Sequence, residues 1–73
     1  MKVKKGEKLV IVDSRKGTYH AVATSNFDTE KDNWYDVAVD QDEPIYGIGS
    51  GNVWRKGDGI PCRNGQAQVK RRQ

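Results

Sequence analysis

The chain of 73 residues contains one cysteine, one histidine, one phenylalanine and two prolines, and these scarcities remove whole classes of function. Cys62 has no partner for an internal disulfide, so the fold is not a cystine-stapled scaffold, and a reducing, cytoplasmic setting follows as the expectation. With His20 as the only histidine, a structural zinc site lacks ligands. A His-dependent triad would have to unite His20, in mid-strand, with Cys62 in a distant loop. His20 reads instead as a solvent-facing strand residue. Cys62 reads as a small buried apolar side chain, although the adjacent Arg63 offers a route to a lowered thiol pKa. No apolar run approaches the ~20 residues of a membrane span, and none forms a signal-peptide apolar region. The lysine-rich Met1 to Lys8 is too short for a targeting segment and reads as a charged lead-in strand.

Cofactor motifs are missing as well. Gly47-Ile48-Gly49-Ser50-Gly51 is followed by no helix and lacks the Gly-Lys-Ser/Thr ending of a phosphate loop. The alternating carboxylates of Asp28-Thr29-Glu30-Lys31-Asp32 lack the glycine and glutamate of a calcium loop, since Asn33 and Val39 stand at those positions. The expectation is a non-catalytic chain with no cofactor and no metal.

What is present is short alternation. No stretch repeats apolar residues at helical spacing over three turns, and eight glycines punctuate the chain, which argues for an all-β domain without significant helix. The segment Val3 to Thr24 reads as a complete hairpin: the β-branched run Leu9 to Val12, turn residues Asp13 to Gly17, then alternation from Thr18. Five strands are expected in all. They are Lys8 to Asp13, Thr18 to Thr24, Trp34 to Asp40, a fourth placed at Ile45 to Ile48 or at Asn52 to Arg55 and expected to be bulged or in two pieces, and Gln66 to Arg71 with Ala67 and Val69 inward. Ser25 to Asn33 reads as polar turn, and Lys56 to Gly65 as a loop or short 3₁₀ turn. Residues 1–73 form one domain with a core worth about 3–5 kcal/mol.

Charge is small in sum and uneven in place. Between Asn26 and Glu43 seven acids face Lys31 alone, a balance of −6, while the remainder carries twelve bases and three acids, a balance of +9, giving +3 overall. If the terminal strands are neighbours, the basic clusters at the two ends converge on one surface, which would attract phosphate or acidic protein.

Five short strands in a chain of this size fit a small five-stranded SH3-like barrel. An OB-fold is disfavoured because Asp40 to Pro44 is too brief to hold its helix. The order Gly6, Val10, Val12, Arg15-Lys16-Gly17, Ala21-Val22 resembles the opening of KOW and Tudor-type modules, over about a third of the chain. That resemblance implies contact with RNA or protein, or an aromatic cage for methylated basic residues, with Tyr19, Phe27, Trp34 and Tyr35 where cage aromatics would stand.

If Tyr35, Val37 and Val39 face the core, alternation turns Trp34, Asp36 and Ala38 outward. Trp34 then either caps the open end of the barrel or, beside Asp32 and Asp36, receives a cation. Trp54 is either core or a base-stacking platform. Two functions follow. The first is a protein-interaction adaptor or regulator, monomeric or weakly oligomeric, taking a basic or extended peptide in a groove of Tyr19, Trp34, Tyr35, Asp36 and Tyr46 rimmed by Asp32 and Asp42. The second is a nucleic-acid-binding module using Lys4, Lys5, Arg15, Lys16, Trp54, Arg55, Lys56, Arg71 and Arg72. Neither involves a membrane.

Overall fold

The alternating segments fold as strands in register with one another. The computed structural model describes residues 1–73 and contains nine strands and no helix: β1 Lys2–Val3, β2 Lys8–Asp13, β3 Gly17–Ala23, β4 Phe27–Asp28, β5 Trp34–Val39, β6 Ile45–Tyr46, β7 Val53–Trp54, β8 Gly59–Arg63 and β9 Ala67–Arg71. With no helix present, none is long and apolar enough to cross a membrane.

Five of these strands form one antiparallel sheet in the order β8-β5-β3-β2-β9. Only β2 and β3 pair as a chain-adjacent hairpin; β3 pairs with β5 and β5 with β8 across intervening segments, and β9 returns to lie beside β2, with Leu9 opposite Arg71 and Asp13 opposite Ala67. The two edges of the sheet, β8 and β9, are consecutive in the chain and joined only by Asn64 to Gln66. So short a link forces the sheet to curl, because a flat five-stranded sheet holds its edges roughly 19 Å apart. Two smaller ladders complete the fold, β1 with β4 and β6 with β7.

Inward parity selects the core. Leu9 and Ile11 from β2, Tyr19, Ala21 and Ala23 from β3, Tyr35, Val37 and Val39 from β5, and Ile60 and Cys62 from β8 are all buried, with Val3, Phe27, Ile45 and Ala67 closing the cluster. The Phe27 and Tyr35 rings lie parallel, 4.3 Å between centroids.

Three expectations are corrected here. The segment Lys56 to Gly65 is not a loop: Gly59–Arg63 pairs with β5 over the whole run from Trp34 opposite Arg63 to Ala38 opposite Gly59. Ile60 and Cys62 supply the alternation, β8 is an edge strand where proline is tolerated, and the positive φ falls at the flanking Gly57 and Gly65. Ile45–Tyr46 and Val53–Trp54 are not rival versions of one strand but partners of each other. The polar stretch Ser25 to Asn33 contains β4, held because Phe27 buries its ring and pairs with Val3.

The chain termini are tied in by side chains. Arg71 pairs with Glu7 at 3.0 Å and also donates to the Lys2 carbonyl. Arg72 reaches from the end of β9 to the Ala21 carbonyl at 2.8 Å and to Asp40 at 2.9 Å, linking the edge strand to β3 and to the residue that follows β5. That hydrogen bond holds the Asp40 carboxyl below its ordinary range. A carboxyl lowered by folding stabilises the native state above its unfolded pKa of about 3.9 and loses that contribution as pH falls through its folded value. Arg72→Gln should therefore lower the melting temperature at neutral pH, and the gap to the parent protein should close below about pH 4 as Asp40 protonates. Melting curves collected across that pH range by circular dichroism check this.

Candidate interaction surface

The parity that points Leu9 and Ile11 inward also drives a carboxylate into the interior at the end of β2. Asp13 is buried and paired on every side: it accepts from the Arg15 amide at 2.7 Å, the Lys16 amide at 3.1 Å and the Lys16 ammonium at 3.4 Å. The turn from β2 to β3 is thereby closed around its own first residue. Lys16 extends further, donating to the Pro61 carbonyl at 3.3 Å on β8 and lying 5.5 Å from the centroid of the Trp54 ring. One lysine thus fixes the turn, the sheet edge and the β6–β7 hairpin relative to one another.

The hairpin is amphipathic across its two-residue ladder. Ile45 and Trp54 are cross-strand partners; Ile45 is buried and Trp54 packs half-buried against the core. Tyr46 and Val53 are the other pair, and opposite parity sends them outward. With Ile48 in the connecting loop they leave three apolar side chains in water, 62%, 43% and 73% exposed for Tyr46, Val53 and Ile48. The loop is a defined shape. The Ser50 hydroxyl donates to the Gly47 carbonyl and accepts from the Asn52 amide, and the Ile48 amide donates to the Arg15 carbonyl at 2.9 Å, seating the loop on the β2–β3 turn. Gly47 is required here, since a Cβ would stand 3.2 Å from the Trp54 ring and closer still to Ser50.

Between loop and turn lies a concavity of about 250 Å³, lined by Arg15, Lys16, Gly47, Ile48, Ser50, Asn52, Trp54, Pro61 and Gln66. Two more open depressions exist. One of about 420 Å³ beside β1 and β4 mixes Lys2, Lys4 and Lys31 with Asp28 and Asp32. The other, about 540 Å³, lies between Val12 to Ser14 and Asn64 to Gln68.

The expected aromatic and acidic groove does not assemble. Tyr19 and Tyr35 are buried in the core, because they share inward parity with Ala21 and Val37. Phe27 is stacked on Tyr35, so three of the four cage aromatics are unavailable to a ligand. Trp34 is 61% exposed and lies outside the core cluster, which corrects the barrel-capping alternative. It is not an open cation receptor either, for Arg63, its cross-strand partner, lies 5.7 Å from the ring centroid. Asp36 is exposed beside it, but Tyr46 stands in the hairpin beyond the other end of β5. Of the rim, Asp32 binds the Asp28 amide at 2.8 Å and Asp42 pairs with Lys56 at 3.6 Å.

The basic candidates divide. Lys4, Lys5, Arg15 and Arg55 are exposed and unpaired, and Lys56 is exposed in its pair with Asp42. Lys16, Arg71 and Arg72 hold Asp13, Glu7 and Asp40, so they act in the fold, and the stacking face of Trp54 is occupied by Lys16. Cys62 sits at 3.5 Å from the Tyr19 hydroxyl, and burial pushes its thiol up rather than Arg63 drawing it down. Ile48 and Val53 escaped the sequence reading. Their signal was pairing: once Ile45 is placed opposite Trp54, Tyr46 and Val53 must share the other face.

Comparison with protein-family models, with curated proteins and with solved structures gave no match.

The Asp13 and Lys16 pair permits a direct check. Asp13→Ala strands a sequestered ammonium and two turn amides and should cost about 3 kcal/mol, and Lys16→Met, which leaves the Asp13 carboxylate buried with only those two amides, should cost at least as much. Urea unfolding of both variants measures the difference.

Proposed function

We propose that the protein is a non-catalytic binding module with SH3-like barrel architecture, acting as a small protein-interaction adaptor or regulator that docks through its β6–β7 hairpin. Strand order and the three-residue link between the sheet edges support the barrel reading. The observation that carries the function is the outward face of the hairpin. In a chain only 34% hydrophobic, three large apolar side chains are spent on solvent, grouped on one short element, beside a concavity floored by Trp54 and Pro61. Scattered exposed apolar residues need no explanation, but a contiguous group with a polar rim marks a contact surface. The docking element has thus shifted from the groove expected around Trp34 to the hairpin, with Tyr46 the one residue common to both.

A second reading, nucleic-acid binding, is favoured by a different observation. Pairing of β9 with β2, and the bond from Arg71 to the Lys2 carbonyl, bring the terminal basic clusters together, and Lys2, Lys4, Lys5, Lys8 and Lys70 carry no ion pair. Such a surface engages phosphate with a steep salt dependence. It lacks an accessible aromatic beside it, which leaves base stacking unsupported.

Selection of short peptides from a random display library against the full chain separates the two. Peptides recovered on the parent protein should lose binding to Ile48→Ser and keep it for Trp34→Ala, while duplex and single-stranded oligonucleotides bind no more tightly than about 100 μM at physiological salt, the non-specific range. Peptides that depend on Trp34 and ignore Ile48, or tight oligonucleotide binding through the terminal lysines, would overturn the hairpin reading.

A further inference from the structure

We infer that the hairpin surface is selective for acidic partners: it takes an extended protein segment whose carboxylates flank one apolar anchor residue, the anchor entering the concavity between the hairpin and the β2–β3 turn. This rests on the protein-interaction role proposed above and gives that surface a polarity, the reverse of the basic ligand expected from the acidic residues around Trp34.

The concavity has no acidic residue in its lining. Three carboxylates in neighbouring segments already have partners. Asp13 is buried under Lys16, Asp58 accepts the Arg55 amide at 2.8 Å, and Asp42 pairs with Lys56. The cations at the rim are not spent in the same way. Arg15 lines the concavity and Arg55 follows Trp54 with the outward parity of Val53; both are exposed and neither lies within ion-pair distance of any carboxylate. Arg15 in the lining and Arg55 on the outward face of the hairpin are two free guanidinium groups that offer planar two-point hydrogen bonding to carboxylates, at which arginine exceeds lysine.

Size selects the kind of occupant. A volume of about 250 Å³ falls below the roughly 300–1,000 Å³ of pockets that enclose free ligands, yet it is ample for one large side chain. Ile48 lines the concavity and is itself exposed, and Val53 and Tyr46 stand exposed on the outward face of the same hairpin, which suits residues on either side of an anchor. A basic segment would meet Arg15 and Arg55 with like charge. A nucleic acid would find Tyr46 as the sole exposed ring on the hairpin, since Lys16 covers the face of Trp54.

The test examines the composition and charge dependence of peptides selected on the full chain, with Ile48→Ser as the control for the docking site. Recovered sequences should be enriched in Asp and Glu around one Leu, Ile, Phe or Trp. Arg15→Glu and Arg55→Glu should each weaken them by about tenfold, and affinity should fall as salt rises. Neither arginine side chain makes a bond in the fold, so thermal unfolding of both variants should match the parent and keep the comparison interpretable. Ile48-dependent peptides that are neutral or basic, or that ignore both charge reversals, would overturn the acidic preference and leave the docking site standing. Failure to recover any Ile48-dependent peptide would overturn both. In parallel, an oligonucleotide that moves the Ile48, Asn52 and Trp54 amide signals in a two-dimensional NMR spectrum would also overturn it, assigning the surface to nucleic acid.

Discussion

The buried pair of Asp13 and Lys16 is the constraint on which the arrangement of the surface depends. A strand that places Leu9 and Ile11 inward must place Asp13 inward too, and a carboxylate in that position is tolerable only if it is fully paired. The pairing is local, through two turn amides and a lysine three residues on, so it shapes the β2–β3 turn at the same time. Because the Lys16 ammonium also donates to the Pro61 carbonyl and lies over the Trp54 ring, the solution to one buried charge becomes a joint between the sheet and the hairpin. The hairpin has only a two-residue ladder of its own, too little to hold a position unaided. Burial of Ile45, packing of Trp54 and the Lys16 joint that Asp13 anchors supply its placement.

Legibility in the sequence followed the length of each alternating run. Lys8–Asp13 was readable to the residue, and β3 and β5 to within one residue at their ends, since six or seven alternating positions fix parity as well as type. The two-residue strands left no such trace, and β4 emerged only because Phe27 must find the core within a polar stretch. Glycine and proline misled at β8. Gly57 and Gly65 bracket the strand, Gly59 opens it and Pro61 sits at an edge where no ladder bond is lost, so residues that usually break strands here surround one. The site was less legible still. Parity correctly exposed Trp34 and buried Tyr35, but whether Tyr19 faced in or out needed the register of β3, and the hairpin face needed the pairing of two segments that single-sequence reasoning treats as alternatives.

Charge illustrates why sequence clusters are poor maps of surface potential. The acidic run from Asp28 to Glu43 looks like a binding face in one dimension. In three, Asp40 is taken by Arg72, Asp42 by Lys56, Asp28 by the amino terminus, and Asp32 by a backbone amide. The basic residues lose fewer members to such pairs. One-to-one pairs leave the overall +3 unchanged, so the local sign at any surface is set by where the unpaired members of each sign stand.

Dependence of the hairpin on a remote pair also links recognition to stability. An element with a short ladder, a glycine-rich loop and one backbone bond to the β2–β3 turn belongs to the low-stability end of a fold, where local opening is cheap. Trp54 opposes that opening by packing against the core under Lys16, and Gly47 allows the loop backbone to close onto its ring. A partner that bridges Ile48 on the loop and Arg15 on the turn would clamp the two elements that already meet through a single backbone hydrogen bond. Under the docking role proposed above, occupancy of the hairpin would stabilise the whole domain by mass action, and a change that loosens Asp13 would weaken docking without touching the contact surface.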